Sequence, residues 1–166
     1  AIVCDGMGGH SAGDFAAKIT VEAISNEFAS TTPFASMKEA KAWVKEAIMK
    51  ANQQVYKRSL EKDEYAGMGT TIVISISMND EYIVSHVGDS RAYYIDKDVL
   101  QQITKDHTYV NLLVDTGTIS KEDAKTHPKR NVLMKAVGVF PDVKVEISEH
   151  DANEGQLLLC TDGLYN

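Results

Sequence analysis

The sequence predicts an α+β fold of long helices and antiparallel strands. Two long segments near the start repeat apolar residues at helical spacing. The middle of the chain alternates at the strand period, with tight turns between the runs. Further on, short helical segments and strands are interspersed without a regular βαβ rhythm, which disfavours a doubly wound parallel sheet.

The opening "AIVC" reads as a strand. From Ser11 to about Ala29, Phe15, Ala16, Ile19 and Ala23 lie at helical spacing, and Ile24 and Phe28 extend the apolar side. A second helix runs from about Ser36 to Leu60. Its residues Met37, Ala40, Val44, Ala47, Ile48, Ala51 and Val55 step by three and four, and Pro33 suits the approach to its start. The small alanines favour packing on a sheet over a coiled coil. After Gly69, "TTIVISISM" sets Ile72, Ile74, Ile76 and Met78 against Thr71, Val73, Ser75 and Ser77, a strand with one strongly buried face.

Asn79-Asp80 turns the chain and "EYIVSHVG" returns. "RAYYID", a Lys97-Asp98 turn and "VLQQI" continue the pattern as an antiparallel meander. Between 106 and 138 the pieces shorten. Tyr109, Leu112 and Leu113 suit a helix ended by Gly117, and Ser120 with Asp123 resembles a capping box opening another. His127-Pro128 breaks that one, and "NVLMKAVG" makes a third short piece ending at Gly138. "VKVEIS" alternates Val143, Val145 and Ile147 as a strand, and "QLLLC" is a buried strand.

A length of 166 residues suits one domain, 1–166. The 43% hydrophobic and 25% charged content is that of an ordinary soluble protein. No apolar stretch approaches a membrane span and no secretory leader pattern opens the chain, so membrane insertion is not expected. A net charge of −7 without a Lys/Arg cluster argues against nucleic acid as a partner. Cys4 and Cys160 read as small buried hydrophobes in a reducing cytosol, in preference to a disulfide or a pair of metal thiolates. The chain begins within a strand and stops soon after Asp162, so it reads as an excerpt of a longer domain lacking a first strand and the C-terminal elements.

Asp5, Asp89 and Asp162 each follow a hydrophobic strand and adjoin a glycine. A carboxylate at such a place is held at a sheet edge, while glycine lets backbone approach a ligand. Taken singly, each also fits an ordinary turn. Three converging oxygen ligands without a His or Cys box would call for a hard cation, Mg²⁺ or Mn²⁺, and not zinc. "GMGGHSAG" places glycines at 6, 8, 9 and 13, which fits neither the dinucleotide fingerprint nor the P-loop. A glycine turn entering a helix still presents backbone N–H groups to an anion. A cation site beside an anion site suggests a phosphoryl substrate.

"VCDGMGGHSAGD", "GMGTT" at 67–71, "HVGDSRAY" at 86–93, "ITKDHTYV" at 103–110, "HPKRNVLMKAVG" at 127–138 and "LLLCTDGL" at 157–164 occur in that order. Together they closely resemble the metal-dependent Ser/Thr protein phosphatases of type 2C, in their bacterial form, over nearly the whole chain. The resemblance implies a four-layer αββα sandwich around two Mn²⁺ or Mg²⁺ ions. It implies that Asp5 bridges both ions, that the Gly6 carbonyl binds the first and Asp162 the second, and that Asp89 with Asp162 helps to hold a third, weaker ion. Such a pair of cations, about 3.5–4 Å apart, lowers the pKa of a bridging water. In the family the resulting hydroxide attacks phosphorus directly, without a phosphoenzyme.

His10 matches the residue proposed there as general acid to the leaving seryl or threonyl oxygen, a task suited to imidazole near neutral pH. Residues 106–128 match a flap beside the active site. Arg91 is expected to pair with a carboxylate and hold a sheet corner, and His86, His107, His127 and His150 to be structural. The partners implied are phosphorylated proteins and a cognate Ser/Thr protein kinase, in the cytoplasm. The family's upstream phosphate-binding arginine and late Asp-Asn motif fall outside these 166 residues. The alternative is therefore a catalytically weak phosphatase-like regulatory or binding module, which the retention of Asp5, Gly6, His10, Asp89 and Asp162 disfavours.

Overall fold

The computed structural model of the chain describes residues 1–97, 99–152 and 154–165, the side chain of His10 excepted. Asp98 of the expected Lys97-Asp98 turn thus lies outside the described residues.

Strands β1 (Ile2–Val3) and β2 (Gly6–Met7) precede helix α1 (His10–Ala29). Its cap residue is Gly9 at φ 87°, a conformation that side-chain-bearing residues rarely adopt. Helix α2 (Met37–Ser59) starts on a reciprocal cap. The Ser36 hydroxyl accepts from the Glu39 N–H at 3.3 Å, and the Glu39 carboxylate accepts from the Ala35 N–H at 2.8 Å. Every apolar position predicted for α2 is buried.

Strands β3 (Gly69–Thr70), β4 (Ile72–Met78) and β5 (Glu81–Val87) follow, then β6 (Arg91–Asp96) and β7 (Val99–Gln102). Helices α3 (Tyr109–Asp115) and α4 (Lys121–Thr126) lead to β8 (Glu146–Asp151), β9 (Gln156–Cys160) and the short helix α5 (Asp162–Tyr165).

The strands form an antiparallel sheet ordered β1-β4-β5-β8, a second ordered β7-β6-β9, and a small β2-β3 ribbon. Ile72, Ile74, Ile76, Ile83 and Val87 face α1 and α2 and make the larger core with Ala16, Ile24, Val44, Ile48 and Val55. The opposite face, with Val73, Tyr82 and Val84, packs against Ala92, Leu157 and Leu159 of the second sheet. This gives the helix–sheet–sheet succession of the expected sandwich.

Four expectations are corrected. The meander is not one sheet, because the chain leaves the first sheet after Val87 and enters the second at Arg91. Strand β4 buries both faces, because it lies between the helices and the second sheet. "NVLMKAVG" is not helical, because its backbone groups are taken by neighbours far away in sequence. Val137 exchanges hydrogen bonds with Thr70 at 2.8 and 3.0 Å, and the Met134 N–H donates to the His107 carbonyl at 2.8 Å. The strand expected from Val143 starts at Glu146, where pairing with β5 begins opposite His86. Val143 and Val145 still pack on the larger core.

Candidate metal centre

Asp5 sits between β1 and β2, and its main chain is fixed by the "GTT" segment opposite. The Asp5 N–H donates to the Thr71 hydroxyl at 3.1 Å, while the Asp5 carbonyl accepts from the Thr71 N–H at 2.8 Å and the Thr70 hydroxyl at 2.9 Å. Gly6 pairs with Thr70 and lies so close to Gly13 of α1 that a β-carbon would overlap the Gly13 carbonyl. A side chain there would push the ribbon off the helix.

Asp89 lies in the crossover between the two sheets. Gly88 turns the chain at φ +105°, and a β-carbon on it would come within 2.7 Å of the Thr71 methyl group. His107 grips the same glycine twice: Nδ1 accepts from the Gly88 N–H at 3.1 Å, and the His107 N–H donates to the Gly88 carbonyl at 3.0 Å. The Tyr165 hydroxyl donates to the Asp89 carbonyl at 2.7 Å. Asp162 opens α5 directly after β9. The fold thus brings the strand ends bearing Asp5, Asp89 and Asp162 into one region.

Their carboxyls act on one another. Burial raises the Asp5 pKa, and the Asp162 charge and hydrogen bond raise it further, against a lowering hydrogen bond from Thr161. Burial, followed by the charges of Asp162, Asp106 and Asp5, pushes Asp89 up to about 6. Among the described residues no Lys, Arg or His side chain lies within ion-pair distance of Asp5 or Asp89. Carboxylate oxygens whose charges repel one another suit hard divalent ions. The three carboxylates are not within 4.8 Å of one another as a set.

One group does meet that spacing: His86, His107 and Glu146. Its hydrogen bonding argues against a metal. The His86 Nε2 must carry a proton to donate to the Lys105 carbonyl at 2.9 Å. His107 Nδ1 is an acceptor, so Nε2 holds the proton, 2.8 Å from the Glu146 carboxylate. That carboxylate also pairs with Lys135 at 2.9 Å. Ligation through His107 Nε2 would need an imidazolate or a broken Gly88 contact.

Arg91 behaves as expected. Its guanidinium forks onto Asp106 at 2.7–3.1 Å and also donates to the Tyr93 hydroxyl at 2.9 Å. Its carbon centre lies 3.4 Å from the middle of the Tyr165 ring. Asp89, Arg91 and Tyr165 line a cleft of about 490 Å³ together with Lys121, Lys125 and Arg130. His86 is buried, His127 Nδ1 accepts from the Lys129 N–H at 3.1 Å, and His150 stacks on Tyr82.

Cys4 and Cys160 are free thiols, and burial pushes Cys4 up to about 12, far from a thiolate. The His10 side chain lies outside the described residues. Sequence reasoning missed Thr71, Ser90, Thr161 and Tyr165. The doubled threonine after Gly69 was the available signal for the first, and nothing local marked Tyr165.

The chain is thus an α+β sandwich with carboxylates gathered at its strand ends. A model of protein phosphatase 2C matches residues 1–166. The chain is 40% identical over 166 residues to the serine/threonine phosphatase stp of Listeria innocua, covering 99% of this chain and 66% of that protein. Among solved structures it superposes on the serine/threonine phosphatase Stp1 from Staphylococcus aureus with a TM-score of 0.92 and 39% identity, covering 98% of this chain and 64% of that one. The catalytic domain of the phosphatase PstP in complex with two manganese ions gives a TM-score of 0.83 at 30% identity, covering 98% of this chain and 66% of that one. The chain belongs to the protein phosphatase 2C family. It spans about two thirds of the length of the curated relatives it matches.

Proposed function

We propose that this protein is a metal-dependent protein phosphatase that hydrolyses phosphoserine and phosphothreonine in proteins. The observation that carries the reading is that Asp5 and Asp89, on different strand ends, both lie close enough to Asp162 for its charge to raise their carboxyls, in a chain of this family. Asp5, the Gly6 carbonyl and Asp162 would hold two Mn²⁺ or Mg²⁺ ions, and Asp89 with Asp162 a third, weaker one. When bound, such ions supply a nucleophilic water of lowered pKa and neutralise phosphoryl charge.

The chain's own residues hold that cluster: Thr70 and Thr71 fix Asp5, while His107 and Tyr165 fix the crossover that carries Asp89. His10, placed by the family motif at the first position of α1, would protonate the leaving oxygen. Residues 1–166 would form one catalytic domain with 106–128 as its flap. The substrates would be phosphorylated proteins of the cytoplasm, in opposition to a Ser/Thr kinase. No helix of the described residues is long and apolar enough to cross a membrane.

The test is hydrolysis of a phosphothreonine peptide by the full-length protein with Mn²⁺, and with EDTA as control. Turnover that needs Mn²⁺ and stops with EDTA is expected; hydrolysis indifferent to EDTA would overturn the proposal. His10→Ala should lower kcat on the peptide by roughly 10²–10⁴-fold, the range of general-acid assistance. The loss on p-nitrophenyl phosphate should be smaller, because its leaving group needs no proton.

A further inference from the structure

Thr71 is buried in the one-residue gap between β3 and β4, and it touches both carboxylate-bearing corners of the site. Its hydroxyl accepts from the Asp5 N–H at 3.1 Å and lies 2.6 Å from the Ser90 hydroxyl, which is also buried. Its main-chain N–H donates to the Asp5 carbonyl at 2.8 Å. Its methyl group fills the space in which Gly88 has no β-carbon. One side chain therefore contacts Asp5 and the two residues that flank Asp89.

Residues 88–90 belong to neither sheet, so no strand ladder fixes them relative to β1. The Thr71–Ser90 hydroxyl pair supplies a direct link between the two corners. We infer that Thr71 is a positioning residue that sets the separation of Asp5 and Asp89 through its hydroxyl bridge to Ser90, and so tunes the affinity of the acidic site for divalent cations. This rests on the metal reading above. Metal sites tolerate ligand displacements of only about 0.2 Å, so a bridge between ligand-bearing backbones reaches the ions without touching them.

The two parts of the threonine side chain are separable. Thr71→Val keeps the shape and drops the hydroxyl, whereas Thr71→Ser keeps the hydroxyl and drops the methyl group. Mn²⁺ binding to the full-length protein is followed by the electron paramagnetic resonance signal of the free ion, and the melting of the metal-free protein by circular dichroism. Thr71→Val should weaken Mn²⁺ binding about five- to tenfold, the effect of one positioning hydrogen bond. Ser90→Ala, a smaller change that removes only the bridge and leaves the Asp5 N–H paired with Thr71, should also weaken Mn²⁺ binding, by no more than Thr71→Val does. The double variant should be no weaker than Thr71→Val alone, since the bridge to Ser90 is already gone there. Thr71→Ser should stay within about twofold of wild type, because the bridging hydrogen bond survives.

Variants that melt earlier but bind Mn²⁺ as wild type does would make the bridge purely structural and overturn the inference. Losses that multiply in the double variant would show two independent effects and also overturn it. A wild-type protein that binds no Mn²⁺ would instead overturn the metal reading on which the inference stands.

Discussion

His107 holds the Gly88 peptide by both its N–H and its carbonyl while its other ring nitrogen faces Glu146. Only the neutral ring can do this, and burial beside His86 lowers its pKa from 6.5 to about 4. The unfolded chain therefore takes up the proton first. The resulting stability is fully present above pH 6.5 and is lost as pH falls towards 4. Glu146 continues the loss below: Lys135 and His107 outweigh burial and hold it at about 2 instead of 4.5. Asp89 works in the opposite sense, its raised pKa favouring the folded state as pH falls from about 6 to 3.8.

Comparison with a variant isolates the histidine. In EDTA, His107→Gln should be less stable than wild type at pH 7, and the gap in urea midpoint should narrow by pH 4.5. A gap constant with pH would mean that His107 does not titrate in the fold. At this scale the aspartates were legible in the sequence, because a carboxylate beside glycine at a strand end is a local pattern. The partnerships His107–Glu146 and Thr71–Ser90 were not, because each joins residues that only the folded chain brings together.

Among the elements, α1, α2, β4 and β5 were legible because their apolar periods are long and regular. Period alone does not say which sheet a strand joins, so the alternation on either side of Gly88 reads as one continuing meander. Nor does a short apolar run say where its backbone hydrogen bonds go, and the segment 131–138 was read as helical for that reason. Asn52 shows what holds that segment down. It is buried on α2, accepts from the Gly138 N–H at 2.7 Å, and donates to the carbonyls of Phe140 and Pro141 at 3.0 and 3.1 Å. Gly138 has φ +88° and presses on Val55 of the same helix, so the loop has little freedom to find other partners. Asn52→Ala would leave one N–H and two carbonyls without their protein partner. The expected cost is about 1–3 kcal/mol of unfolding free energy, measured by urea denaturation, the cost of leaving the buried Gly138 N–H unpaired. Water can reach the partly buried carbonyls of Phe140 and Pro141. A loss under about 1 kcal/mol would show that water replaces the side chain at all three sites.

Across the whole molecule, the acidic centre comes from three distant parts of the chain, near residues 5, 89 and 162. The two-sheet sandwich is what joins them: β1 pairs with β4, β4 with β5, and β9 with β6. The unfolded chain keeps these carboxylates apart, so divalent ions held by them would bind the folded state selectively and stabilise it by linkage. At 100 times the dissociation constant that stabilisation is about 2.7 kcal/mol. For a chain of this size about 2–4 °C accompanies each kcal/mol, so Mn²⁺ should raise the melting midpoint of the full-length protein by roughly 5–10 °C. Ca²⁺ should raise it too, yet support little turnover, because its looser coordination positions water poorly.

Asp5→Asn separates charge repulsion from structure. Burial and Asp162 raise the Asp5 pKa, so its ionised form opposes folding when no ion is present. The amide should leave the metal-free midpoint equal or higher, abolish most of the Mn²⁺ shift, and lower turnover by at least about 10²-fold, the loss typical of removing one electrostatic stabiliser. A variant that melts well below wild type in EDTA but keeps the full Mn²⁺ shift would make Asp5 a structural turn residue, and the ions would have to be held by other oxygens.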